Sequence, residues 1–228
     1  MIVAYAADIN LYDYLQPATS ALIKHNPEVK EIHIFLKEQR DMKKYGLEDE
    51  RIIFHPFKET LSFISSLGPY QNYRFGLMTF TRLALPIILE DKEKVLYLDV
   101  DAFVRGNLKD FYNTDLTDYA VAGVFEPKKS INRIYLNAGV LLLNLNYLRT
   151  SGIWNKWLDM ANNQPALRDG DQDIINNTCQ EKIITVSATY NSNIYTYDMP
   201  DPIIAHGTPI KPWDIKSPFF KEFMQYKK

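Results

Sequence analysis

Val95-Leu96-Tyr97-Leu98 is an apolar run with no alternation, the mark of a strand buried on both faces. Such a strand needs helices above and below it, so the surrounding chain must supply strand and helix patterns in turn. It does. Ile2–Ala6, Ile32–Leu36, Arg51–Phe54, Tyr119–Phe125 and Ala138–Leu145 read as further strands. Residues 12–26 read as a helix, with Leu15, Ala18, Leu22 and Ile23 near helical spacing and Pro17 early, where proline is best tolerated. A second helix is expected over 74–89, kinked or restarted at Pro86, and a third over 147–162 carrying Trp154 and Trp157. No repeat, low-complexity tract or linker interrupts the pattern. With 228 residues at 46% hydrophobic the chain can build one substantial core, so it reads as a single α/β domain, 1–228.

The same strand ends on a chemical problem. Asp99 and Asp101 follow it one residue apart, and a carboxylate leaving water alone costs several kcal/mol or is neutralised. Three readings compensate them: a divalent cation, a protonated or phosphorylated acid in catalysis, or exposure at the strand end. In open α/β sheets ligands sit beyond the carboxyl ends of the strands. Asp8 and Asn10 follow the first strand as Asp99 and Asp101 follow the later one, so both pairs could face one crevice. Two hard oxygen ligands favour Mg²⁺ or Mn²⁺ over zinc.

Charge and cysteine content exclude several classes. The chain carries 26 basic and 28 acidic residues, a net charge of −2, with no long basic stripe, which argues against a nucleic-acid partner. Cys179 is the single cysteine, so neither an intrachain disulfide nor a thiolate metal cluster can form. The start MIVAYAADIN lacks a signal peptide's basic and apolar regions, and no run approaches the roughly 18 apolar residues of a spanning helix. The expectation is a cytoplasmic protein.

Six segments in order carry a more specific resemblance, in a match over residues 1–213: AADIN, TFTRLALP, KVLYLDVDAFVRGNLKDFY, YLNAGVLLLNL, DGDQDIIN and HGTPIKPW. They are similar to the motifs of the family 8 glycosyltransferases, the group that includes glycogenin and bacterial lipooligosaccharide galactosyltransferases. The resemblance implies a GT-A fold, a single Rossmann-like mixed and mostly parallel sheet with helices on both faces. It implies a UDP-sugar donor, most simply a UDP-hexose of galactose or glucose, and Mn²⁺ or Mg²⁺. It also implies a saccharide, glycolipid or glycoprotein acceptor and retention of anomeric configuration.

By that resemblance Ala6, Asp8, Asn10 and Leu11 contact the nucleotide. Asp99 and Asp101, with Val100 between them, and His206 surround the metal, while Arg82 and Lys211 hold phosphate oxygens. Asn137 and Asp171 bind the transferred sugar, and Gln172 lies near the reacting face. Each residue keeps a plainer reading beside this one. Asp8 and Asn10 suit helix N-caps, Arg82 a helix-surface cation, and Asp173 the start of a helix over 174–179. Asn137, in an apolar strand, demands partners that sugar hydroxyls or the protein itself could supply.

The chain departs from the family in three places. Four residues separate His206 from Lys211 where the family has five, so the phosphate clamp is expected to be reshaped. Leu11 stands where the family carries an aromatic residue. The basic and aromatic tails that anchor some relatives to membranes are not evident in FFKEFMQYKK, which reads as a short amphipathic helix that leaves room for peripheral membrane contact. Two other classes answer to parts of the pattern: a nucleotide-sugar binder without turnover, and a haloacid dehalogenase-type phosphatase. The latter also places two acids at i and i+2 after a strand, but near its N-terminus.

Overall fold

The computed structural model describes residues 1–63, 76–128, 133–163, 167–197 and 199–227. In chain order, β1 (Ile2–Ala7) leads into α1 (Tyr12–His25), β2 (Glu31–Leu36), β3 (Ile52–Pro56), α2 (Lys58–Phe63), α3 (Thr81–Ile88) and β4 (Lys94–Leu98). There follow β5 (Ala102–Val104), α4 (Lys109–Tyr112), β6 (Val121–Phe125), β7 (Leu136–Asn144), α5 (Leu145–Thr150) and α6 (Ile153–Asn163). The last elements are α7 (Gly170–Cys179), β8 (Ile183–Val186), β9 (Ile204–His206) and α8 (Phe220–Met224).

Seven strands form one sheet in the order β3-β2-β1-β4-β7-β6-β8. β7 runs antiparallel to both its neighbours, and the other four pairings are parallel, so the sheet is mixed and mostly parallel. β4 lies in the interior as its non-alternating pattern requires. Val95 and Tyr97 face a core shared with α3, α5, α6 and α7, while Leu96 and Leu98 face a second core shared with α1. The sheet is thus covered on both faces.

Element boundaries differ from expectation for identifiable reasons. The helix expected over 147–162 is two helices, because Gly152 adopts φ 78 between α5 and α6, a left-handed conformation costly to other residues. Pro86 neither kinks α3 into two nor restarts it. The helix runs through it and stops two residues later, and a 3-10 turn over Leu77–Phe80 precedes it. Residues 74 and 75, where that helix was expected to begin, lie outside the described residues. The helix expected from Ile174 begins four residues earlier, at Gly170. β5, β8, β9, α2 and α4 were not anticipated. They are short, and three-residue strands carry too few positions for a period to show.

Candidate active site

β7's reversed direction concentrates polar residues at one edge. β1 and β4 are parallel with Val3 opposite Leu96 and Ala4 opposite Tyr97, so Asp8 and Asp99 leave the sheet at the same end. Leu98 lies opposite Val140 and Phe125 opposite Leu136, which brings Asn137, the second residue of β7, and Glu126, just past β6, to that end too. The second, two-stranded sheet completes the cluster. β5 and β9 are antiparallel with Ala102 opposite His206, so the residue preceding β5, Asp101, meets the last residue of β9.

Asp99, Asp101 and His206 each present a ligand atom, and the three lie within 4.8 Å of one another. His206 Nε2 is 3.4 Å from Asp101 Oδ1 and 3.9 Å from Asp99 Oδ2. The pocket they surround exists because residue 139 is glycine. A Cβ there would stand 2.2 Å from His206 Cε1 and 2.7 Å from Asp99 Oδ2. Two carboxylates and an imidazole nitrogen suit Mn²⁺ or Mg²⁺, and a single cysteine excludes a thiolate cluster. Asp101 is nearly buried; desolvation alone would raise its pKa, but His206 and Lys211 outweigh it and hold the carboxyl well below the usual range. Burial opposes the His206 cation, yet the adjacent Asp101 carboxylate raises its pKa above the ordinary 6.5.

Lys211 Nζ bonds Asp101 Oδ2. The shortened spacing still lets it do so, because the chain doubles back over Gly207. A Cβ at Gly207 would sit 2.8 Å from Lys211 Cα and 2.5 Å from Pro212 Cδ. Trp213, two residues on, stacks flat on Tyr14 at 3.9 Å and anchors the segment to α1.

Arg82 is 2% exposed, which rules out the surface-cation reading. Its guanidinium bonds Asp99 Oδ1 at 2.9 Å, Asp171 Oδ2 at 3.0 Å and the carbonyls of Thr79 and Ala138, and it lies 4.4 Å over the Tyr97 ring. One cation therefore serves two carboxylates. Asp171, 3% exposed, is pushed up from 3.8 to about 6, chiefly by burial; Arg82 opposes the shift and Asp99 adds to it. Tyr97, buried beneath, donates to Asp99 Oδ1 at 3.0 Å.

The remaining expected residues fall around this cluster. Asp8 Oδ1 accepts from the Asn10 backbone at 3.0 Å and caps a 3-10 turn over Ile9–Leu11, so the capping role is real. Asn10 is exposed, Leu11 is partly exposed, and Ala6 and Val100 are buried. Tyr12 is wholly buried, its hydroxyl donating to Glu38 O at 2.6 Å. Asn137's partners come from the protein: Glu126 Oε2 at 2.7 Å, Asn191 Nδ2 at 2.9 Å and Gly139 N at 3.1 Å. Gln172 Oε1 accepts from Ala138 N at 2.8 Å, tying the first turn of α7 to β7. Asp173 lies within that turn and accepts from Tyr135 Oη at 2.7 Å and from Asp169 N at 2.8 Å.

Glu126, Asn191 and Asn193 were not anticipated. Glu126 carries the signal that singled out Asp99, an acid directly after an apolar strand. Asn191 and Asn193 sit in the loop YNSN, where no period marks them.

Fold and cluster together define an α/β protein with a candidate divalent-cation site beyond the ends of its central strands, and comparison with known proteins gives the family. Residues 2–216 match the model of "Glycosyl transferase family 8". The chain belongs to that family and has the GT-A fold. A putative glycosyltransferase of Haemophilus influenzae is 26% identical over 226 residues, covering 84% of this chain and 63% of that protein. Glycosyltransferase GlyE of Streptococcus pneumoniae is 28% identical over 211 residues, covering 86% of this chain and 48% of GlyE. The chain thus spans less than two thirds of these relatives' lengths. Among solved structures, the galactosyltransferase LgtC in complex with donor and acceptor sugar analogs superposes with a TM-score of 0.77 at 22% identity. That match covers 100% of this chain and 95% of LgtC. Among the described residues, no helix is long and apolar enough to cross a membrane.

Proposed function

We propose that the chain is one catalytic domain that transfers a hexose, galactose or glucose, from a UDP-hexose to a hydroxyl of a saccharide, glycolipid or glycoprotein, with retention of configuration and with Mn²⁺ or Mg²⁺. The observation that carries this is the convergence of Asp99, Asp101 and His206 on one point at the sheet edge shared by Asp8, Asn137 and Asp171. A bound cation would neutralise charge gathering on the departing diphosphate, a Lewis-acid contribution of several kcal/mol. Asp99, Asp101 and His206 would hold it. Lys211, 44% exposed beyond Asp101, supplies a point charge within reach of the same phosphates. Arg82 acts one layer down, fixing Asp99 and Asp171, so its contribution to phosphate binding runs through those acids.

Leu11 offers an aliphatic face to the base. Asp171, its carboxyl raised to about 6 by burial, and Asn137 lie where the transferred sugar would sit. In the reaction the acceptor oxygen bonds the anomeric carbon as the bond from that carbon to the phosphate oxygen breaks. The acceptor proton passes to a donor phosphate oxygen on the same face, so no protein base is assigned. The family match sets the phosphatase reading aside; a binder without turnover remains the competing one. Incubating the chain with UDP-galactose or UDP-glucose, Mn²⁺ and a panel of saccharides decides it. Release of UDP and an α-linked product from an α-linked donor support the proposal. Binding with neither transfer nor slow hydrolysis favours the binder, and a β-linked product overturns the retaining assignment.

A further inference from the structure

A histidine that ligates through one ring nitrogen needs the proton on the other, and in this chain the direction of a buried amide chain decides where that proton sits. His206 Nδ1 is 2.8 Å from Asn191 Oδ1. Asn191 Nδ2 donates to Asn137 Oδ1 at 2.9 Å, and Asn137 Nδ2 donates to Glu126 Oε2 at 2.7 Å. All four residues are at least nine-tenths buried.

An amide can be turned end for end, so its orientation must be argued from partners that admit one role only. Backbone N–H groups are such partners. Gly139 N donates to Asn137 Oδ1 at 3.1 Å, which fixes Asn137 with its oxygen toward Asn191 and obliges Asn191 to face it with the amino group. Independently, Tyr195 N and Thr196 N donate to Asn193 Oδ1 at 2.8 and 3.1 Å, so Asn193 presents its amino group to Asn191 Oδ1 at 3.0 Å. Both constraints put the Asn191 oxygen against His206. Two acceptors do not approach to 2.8 Å without a proton between them, so Nδ1 carries one, and in the neutral ring the lone pair lies on Nε2.

We propose that Asn191 is a positioning residue for the divalent cation. Held by three backbone amides through Asn137 and Asn193, it sets the Nδ1–H tautomer of His206 and aims Nε2 between Asp99 and Asp101. The inference rests on the proposed function in taking that point as a cation site. Outer partners of this kind typically alter metal affinity 10- to 100-fold when removed. Their effect depends on accepting the ring proton, so a carboxylate in place of the amide serves and an apolar isostere does not.

The test is Mn²⁺ binding in the presence of UDP, followed by the electron paramagnetic resonance of free Mn²⁺. It is paired with ¹⁵N–¹H correlation of the His206 ring in the metal-free protein at alkaline pH. Asn191→Leu is expected to weaken Mn²⁺ roughly 10- to 100-fold and to mix the tautomers. Asn191→Asp is expected to keep Nδ1 protonated and to weaken Mn²⁺ less than Asn191→Leu does, the remaining loss coming from the carboxylate oxygen it sets against Asn137 Oδ1. Ser192→Ala, which loses the two loop bonds of Ser192 Oγ, to Tyr197 O and from Met199 N, should match wild type, separating loop stability from ring orientation. Equal Mn²⁺ affinity in wild type and Asn191→Leu, or an Nε2–H tautomer in wild type, overturns the inference and leaves the proposed function standing. A wild-type chain that binds no Mn²⁺ overturns both.

Discussion

Among the described residues, two clusters of histidine and carboxylate stand out, and they have opposite physics. At the sheet edge, Asp99 and Asp101 both approach the single atom His206 Nε2. On strands β2 and β3 the same chemical types are strung out in a line: Glu31 to His33 Nε2 at 3.0 Å, His33 Nδ1 to His55 Nε2 at 2.9 Å, and His55 Nδ1 to Glu59 at 3.3 Å. Each nitrogen in the line has its own partner, and Lys92 neutralises Glu31 from outside. The linear cluster satisfies itself. The convergent one asks for positive charge at its focus, which is why His206 has a raised pKa while burial lowers that of His33. Composition alone does not make a metal centre; convergence of lone pairs does.

The sharpest way to break the comparison is to remove one carboxylate from each cluster. Asp101→Asn should lower UDP-hexose turnover by roughly 100-fold or more, several kcal/mol of lost charge stabilisation, with the fold retained. Glu59→Gln should leave turnover within about twofold, because Glu59 touches only the end of the line. Steady-state UDP release measures both, and comparable losses in the two variants would erase the distinction.

Arg82 ties the convergent site to the core, and Arg82→Met should cost about 3–5 kcal/mol in urea unfolding, since Asp99 and Asp171 lose their shared cation. A change under 1 kcal/mol would show that neither acid depends on it.

Metal-free stability should also slope oppositely with pH at the two clusters. His206, raised in the fold, contributes stability that is complete below pH 6.5 and disappears as pH rises through its folded pKa. His33, lowered chiefly by burial and also by His55 and Lys92 against the pull of Glu31, costs stability as pH falls below 6.5 through its folded pKa. His206→Gln should flatten the alkaline side of the stability profile and His33→Gln the acid side. The same sign for both would contradict the contrast.

A smaller effect is expected at the nucleotide end. Leu11→Tyr should tighten UDP severalfold by adding an aromatic face, whereas Tyr12→Phe should change affinity little, because Tyr12 is committed to Glu38 in the core. Calorimetric titration that found Leu11→Tyr unchanged and Tyr12→Phe impaired would reassign the base contact.

These contrasts also explain what could be read from the chain beforehand. Asp99 and Asp101 were legible because their signal is local, two acids directly after a strand that must be buried. β4's covered position and the helices on both faces followed from the same pattern. Asn191 was not legible. Its meaning lies in contacts with His206, 15 residues away, and Asn137, 54 residues away, and an amide in a loop carries no period to betray them. Arg82 was expected to hold phosphate oxygens, and its setting between two acids was not legible, since that burial depends on how α3 packs on β4 and α7. The split between α5 and α6 was written in Gly152, which helical spacing alone overruled.

The central claim is that a divalent cation at the focus of Asp99, Asp101 and His206 supports turnover of a UDP-hexose. UDP release measured in excess chelator and again after Mn²⁺ is restored tests it most directly. The account predicts loss of release under chelation and recovery on adding Mn²⁺ in the wild-type chain, with no recovery in Asp101→Asn; full turnover in excess chelator would contradict it.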